Sequence, residues 1–145
     1  MLPAAHIQAQ CNLFAVKNGL SHHNLAIKPN GTLWASGYNN YGQLGNGNTS
    51  FQYAPVQIGT ATNWKALAGG FYHSLAIKSD GTLWAWGSNG YGQLGNGTTA
   101  DQYTPIQIGS ENNWQTIYAG LYHSLAIKSD GTLWVWGHNV YGQLG

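Results

Sequence analysis

Arginine is absent, cysteine occurs once, and the charged side chains of 145 residues amount to five Lys and four Asp or Glu. Each shortage closes a class of function. Without clustered Lys and Arg the chain cannot displace counterions from a phosphate backbone, so nucleic acid is not an expected partner. The lone Cys11 permits no disulfide within the chain and no thiolate metal cluster. No stretch approaches the roughly 20 apolar residues of a membrane span. The opening MLPAAHIQAQC lacks the basic and apolar regions of a secretion signal. What is plentiful is aromatic and small: seven Trp, nine Tyr and 21 Gly, with 43% hydrophobic residues. That supply is ample for a core and far from a disordered composition. Polarity comes from Asn, Gln, Thr and Ser, a balance that suits an extracellular bacterial protein.

The chain repeats itself. YHSLAIKSDGTLWAWGSNGYGQLG fills residues 72–95, and YHSLAIKSDGTLWVWGHNVYGQLG follows 50 residues later. Segments 64–95 and 114–145 differ only at 65–69, 71, 85, 88 and 90. One step back, Phe14, His23, Trp34, Tyr41 and Gln43 fall into the same register. The units are therefore 14–63, 64–113 and a partial 114–145, preceded by the segment 1–13. A period near 50 points to a repeat architecture, with propeller blades the first candidate.

Within a unit the pattern predicts short strands and no helix. WKALA (64–68) runs to the Gly69-Gly70 turn, HSLAI (73–77) to a hairpin at Asp80-Gly81, and TLWAW (82–86) to a long glycine-bearing loop. TPIQI (104–108) follows. Pro55 and Pro105 cannot donate a ladder hydrogen bond, which assigns their strand to the edge of its sheet. The fold class is all-β: blades of four antiparallel strands, about three to the chain, stacked to bury both faces.

The string HSLAIKSDGTLWAWGSNGYGQLG, with Gly70 before it, resembles the regulator of chromosome condensation repeat. That pattern is Gly-x-x-His-Ser, an apolar strand, Asp-Gly, an aromatic-Gly-x-Asn, then Gly-Gln-Leu-Gly. The resemblance extends from residue 14 to 145 in three registers. It implies a propeller, usually of seven blades, in a family that works by binding other macromolecules. Some members sense ultraviolet light through Trp clusters held beside Arg, a use that the missing Arg excludes here.

The repeated letters are expected to be scaffold. His23, His73 and His123 begin strands after a glycine turn, where an imidazole can satisfy backbone groups that the turn leaves unpaired. Trp34, Trp84, Trp134 and their neighbours at 86 and 136 read as packing between blades, and Gln43, Gln93 and Gln143 as signature positions. Tyr41, Tyr91 and Tyr141 are expected to be packed with them. No paired carboxylates, catalytic triad or metal set stands out, so an enzyme, a cofactor and a metal site are not expected.

The changing letters fall on one rim, where the first and third loops of an up-and-down blade emerge. The candidate partner-binding residues are Tyr38, Asn40, Phe71, Tyr72, Ser88, Leu121, Tyr122, His138 and Val140. Aromatics on loops held by a rigid frame suit recognition of a protein. The alternative is a multivalent carbohydrate-binding propeller using the recurring tyrosines.

Three blades are fewer than the 4 to 8 of known propellers. The chain is accordingly expected to self-assemble into a ring, a dimer being favoured, with 1–13 as a possible closing outer strand. The other expectations are ring closure by a different chain, or a fragment of a longer propeller with no independent function.

Overall fold

The computed structural model describes residues 15–17 and 21–145, and these form strands and turns without a helix. Eleven strands follow in chain order. Blade 1 contains β1 (Ala15–Lys17), β2 (His23–Ile27), β3 (Leu33–Gly37) and β4 (Gln52–Ile58). Blade 2 contains β5 (Trp64–Gly69), β6 (His73–Lys78), β7 (Leu83–Gly87) and β8 (Gln102–Gln107). Blade 3 contains β9 (Trp114–Ala119), β10 (His123–Lys128) and β11 (Leu133–Gly137). Each sheet is a meander of antiparallel neighbours, and β4 and β8 are edge strands, as Pro55 and Pro105 require. The segment 1–13, expected as a closing outer strand, lies outside the described residues.

The blades stack face against face, with β5 between β1 and β9. Burial of the second strand reports the stacking directly. In β2 the odd positions His23, Leu25 and Ile27 are buried against blade 2, while Asn24 is exposed. In β10 the even positions Ser124, Ala126 and Lys128 are buried against the same blade from its other side. In β6 both sets are buried, because blade 2 lies between two neighbours. Two cores result. Leu25, Ile27, Leu33 and Leu44 of blade 1 meet Trp64, Ala76 and Trp86 of blade 2. Leu75, Ile77, Leu83 and Leu94 of blade 2 meet Trp114, Ile117 and Ala126 of blade 3.

Turn chemistry fixes the register. In the β6–β7 hairpin Gly81 N–H donates to the Lys78 carbonyl, with Gly81 at φ 82°. Asp80 Oδ1 accepts from both the backbone N–H and the hydroxyl of Thr82, and Thr82 Oγ1 accepts from the Trp84 indole. The Asp-Gly-Thr-Leu-Trp motif is thus one hydrogen-bonded chain, repeated with Asn30, Thr32 and Trp34 in blade 1 and Asp130, Thr132 and Trp134 in blade 3. The linker into blade 3 closes over this hairpin, with Trp114 N–H donating to the Gly81 carbonyl. A Cβ at Gly81 would sit 1.9 Å from the Asn112 carbonyl oxygen, so only glycine fits.

Candidate functional site

The strand-starting histidines do something other than satisfy their own turn. His23 Nε2 lies 2.8 Å from Ser74 Oγ of blade 2, and His73 Nε2 lies 2.9 Å from Ser124 Oγ of blade 3. Each serine gives its single proton to a carbonyl of the preceding blade, Ser74 to Gln43 and Ser124 to Gln93. The hydroxyl must therefore accept from the imidazole, which fixes the proton on Nε2. Trp86 and Trp136 add their indole N–H to the same two carbonyls, at 2.8 Å each. So the repeated His, Ser, Trp and Gln form a seam between consecutive blades. His73 and Ser74, on opposite faces of β6, serve opposite seams. Burial pushes His23 down to about 4, helped by repulsion from His22. His73, wholly buried and flanked by His23 and His123, is pushed down to about 3. Neutral imidazole is the state that this packing selects.

The Gln side chains hold the loops above the seam. Gln43 Oε1 accepts from Tyr41 N–H, and Gln93 and Gln143 repeat the contact at Tyr91 and Tyr141. Beside them a buried Asn ties down each long loop. Asn39 Oδ1 accepts from Leu44 N–H, while its amide donates to the carbonyls of Asn48 and Ser50. Asn89 makes the same set with Leu94, Thr98 and Ala100. These loops are long yet tied back on themselves at several points by one buried amide, which makes them rigid supports.

On those supports stands a continuous array of aromatic rings. It begins in blade 1, where Tyr38 meets Phe51 at 4.9 Å and Tyr72 of blade 2 at 5.6 Å. His22 reaches Phe71 at 4.9 Å, and Tyr41 reaches Tyr72 at 4.6 Å. Phe71 and Tyr72 pass the array to Tyr122 of blade 3 at 6.1 and 6.4 Å. From there Tyr91 and His138, 4.6 Å apart, carry it to Tyr141. Of the expected binding residues, Tyr38, Phe71, Tyr72, Tyr122 and His138 are brought together in this array. Leu121 and Val140 are exposed without belonging to a ring pair. Asn40 donates to the Tyr38 hydroxyl, and Ser88 accepts internally from the Gln93 amide, so Ser88 serves the loop.

Sequence reasoning missed His22 and Phe51, which lie one residue before the signature His and within the variable part of the long loop. It also misplaced three tyrosines. Tyr41, Tyr91 and Tyr141 were expected to be packed, yet they are 36%, 53% and 89% exposed. Their backbone N–H groups belong to the signature, whereas their rings point outward and join the array. Nothing in the spacing distinguishes a residue fixed by its backbone from one fixed by its side chain.

The opposite rim has the charge. Lys28 Nζ sits 3.3 Å over the Trp34 ring, and Lys78 and Lys128 repeat the contact over Trp84 and Trp134 at 3.6 and 4.0 Å. Lys128 also pairs with Glu111 at 2.6 Å. Burial pulls the Lys78 ammonium below its ordinary value, against the opposing pull of Asp80. Among the described side chains Asp101 is the carboxylate at the aromatic end, where it accepts from Asn89 N–H. Among the described residues no group of three His, Cys, Asp or Glu is placed to hold a metal ion.

Stacked antiparallel meanders joined by a repeated seam define a segment of β-propeller. The Regulator of chromosome condensation (RCC1) repeat matches at residues 30–77 and 80–127, and a second form of it at 64–93 and 114–143. The chain belongs to the RCC1 repeat family. Its fold is similar to that of human WBSCR16, with a TM-score of 0.79 and 24% identity over 88% of this chain and 33% of that one. Yeast RCC1 (Prp20) bound to Kap60 gives a TM-score of 0.77 and 21% identity over 87% of this chain and 32% of that one. Prp20p from Saccharomyces cerevisiae, described with its binding properties to Gsp1p and histones, gives 0.78 and 21% over 88% and 34%. The chain spans about a third of the length of these solved structures.

Proposed function

We propose that the chain is a non-enzymatic scaffold that binds another protein through its aromatic rim. The observation that carries this reading is the unbroken array from Phe51 to Tyr141, which spans three blades on loops tied down by the Asn39, Asn89 and Asn139 side chains. Rigid, amphipathic rings offer large contact area and lose little freedom on binding, the usual make-up of an interface hot spot. That a protein of the same fold is found bound to Kap60 supports the class of partner. To test it, proteins retained by the immobilised chain are compared with those retained by a Tyr38→Ala, Phe71→Ala, His138→Ala variant. A partner identified in this way and then purified should lose at least about tenfold in affinity for the variant. Equal affinity would discard the rim as the site.

Carbohydrate binding is a second reading, favoured by the outward rings of Tyr41, Tyr91 and Tyr141 at equivalent positions. A glycan array separates the two, since a lectin gives graded hits and a protein binder gives none. We further propose that the chain associates with a second copy of itself to extend the stack. Supporting this, blade 3 turns Leu133, 60% exposed, toward solvent where Leu33 and Leu83 are fully covered by the next blade.

A further inference from the structure

The two seams within the chain are built alike, and each needs one half from either blade. The preceding blade supplies a Gln carbonyl, a His Nε2 and a Gly-Gln-Leu-Gly loop; the following blade supplies a Ser and a Trp paired across adjacent strands. Ser74 faces Trp86 in this way, and Ser124 faces Trp136. Gly45 and Gly95 make room for the two indoles, whose Nε1 atoms would lie 2.9 and 2.8 Å from an added Cβ. Blade 3 presents the preceding half again, in His123, Gln143 and Gly145, and nothing lies within 4 Å of a Cβ at Gly145.

Blade 1 presents only part of the following half. Tyr53 is ready: its counterpart Tyr103 packs onto Gly42 and accepts from Gly47 N–H, while Tyr53 itself is 97% exposed. The paired positions are different. Asn24 faces Ser36 across β2 and β3, where the other blades have Ser and Trp. The indole that is fully buried as Trp86 is missing, together with its hydrogen bond, and Asn replaces the hydroxyl that meets the imidazole. A polar outward face of this kind is what limits the growth of repeat stacks.

We propose that the outward face of blade 3 takes the outward face of blade 1 of a second copy, and that the Asn24–Ser36 pair holds this joint below the strength of the two internal seams. This rests on the self-association reading above. Contacts of the head-to-tail kind close into a ring when the rotation allows it. The joint between copies is then the one that opens and exchanges, while the seams inside each copy persist.

Sedimentation equilibrium of the wild-type chain and an Asn24→Ser, Ser36→Trp variant tests the proposal. Both changed side chains lie on the outward face, and Asn24→Ser alone, with circular dichroism for folding, keeps the test informative if the double variant misfolds. The dissociation constant between copies is expected to fall at least about tenfold in the double variant, and His123→Ala in that background is expected to reverse part of the gain. Wild-type association that is already tight, and unchanged by the two substitutions, overturns the role of Asn24 and Ser36 while leaving self-association intact. Monomers of both proteins at every concentration overturn the self-association reading as well.

Discussion

The seam between blades and the aromatic rim above it are built from neighbouring residues but obey opposite rules. In the seam His23, His73, Ser74, Ser124 and Trp86 are buried and hydrogen-bonded, and any change leaves a partner unsatisfied. At the rim the rings of Tyr38, Phe71, Tyr91 and His138 touch neighbouring rings, and a change removes contact area together with, at Tyr38 and His138, one hydrogen bond within the loop. The rim is free to vary because the seam is not. Stability and recognition have been assigned to different letters of the same repeat.

Breaking the seam should give the largest effect. Trp86→Ala removes a fully buried indole and its bond to the Gln43 carbonyl. About 3–5 kcal/mol of stability is expected to go, read as a lower urea midpoint. Acid attacks the same place. In the unfolded chain a histidine titrates at 6.5, whereas folded His23 and His73 sit at about 4 and about 3. Over that interval the unfolded state binds more protons, so the seam's contribution is complete above pH 6.5 and is lost as pH falls toward 4 and then 3. The loss is on the order of 3 kcal/mol for His23. Thermal melts between pH 7 and pH 4 measure it, and His23→Gln should flatten the curve.

A smaller effect separates position from neighbourhood at the opposite rim. Gly81 and Gly131 hold the same hairpin place at φ 82° and 85°, but only Gly81 is covered by a linker. Gly131→Ala should cost about 1 kcal/mol from backbone strain alone, and Gly81→Ala about 2 kcal/mol or more from strain plus collision with Asn112. Equal costs would show that the linker gives way. The smallest effect is expected from salt. Among the described side chains the array is uncharged apart from the engaged Asp101, so affinity for a protein partner should change less than about twofold between 0.05 and 0.5 M salt.

Much of this was legible in the letters. The 50-residue period, the edge role of the Pro55 and Pro105 strands and the Asp80-Gly81 hairpin followed from spacing and turn chemistry, and the family from the resemblance of the repeated string. The histidines were placed correctly at strand starts, yet their partners were not legible, because Ser74 lies 51 residues beyond His23 and belongs to another sheet. Tyr41 and its equivalents misled for a related reason. Repetition marks a position as fixed without saying whether the backbone or the ring is the part held.

The segment HSLAIK shows where the division falls. It occurs as β6 and again as β10, letter for letter, and local physics makes it a strand both times through a short apolar run, Leu-Ala-Ile, between two turns. Whether one face or both are buried is not a property of those six residues. β6 is covered on both sides by neighbouring blades and β10 on one, so the same letters read as core in the first copy and as half surface in the second. Strand, turn and repeat are local and were set by the chain; burial depends on how many sheets stand alongside, which only the stacked structure decides.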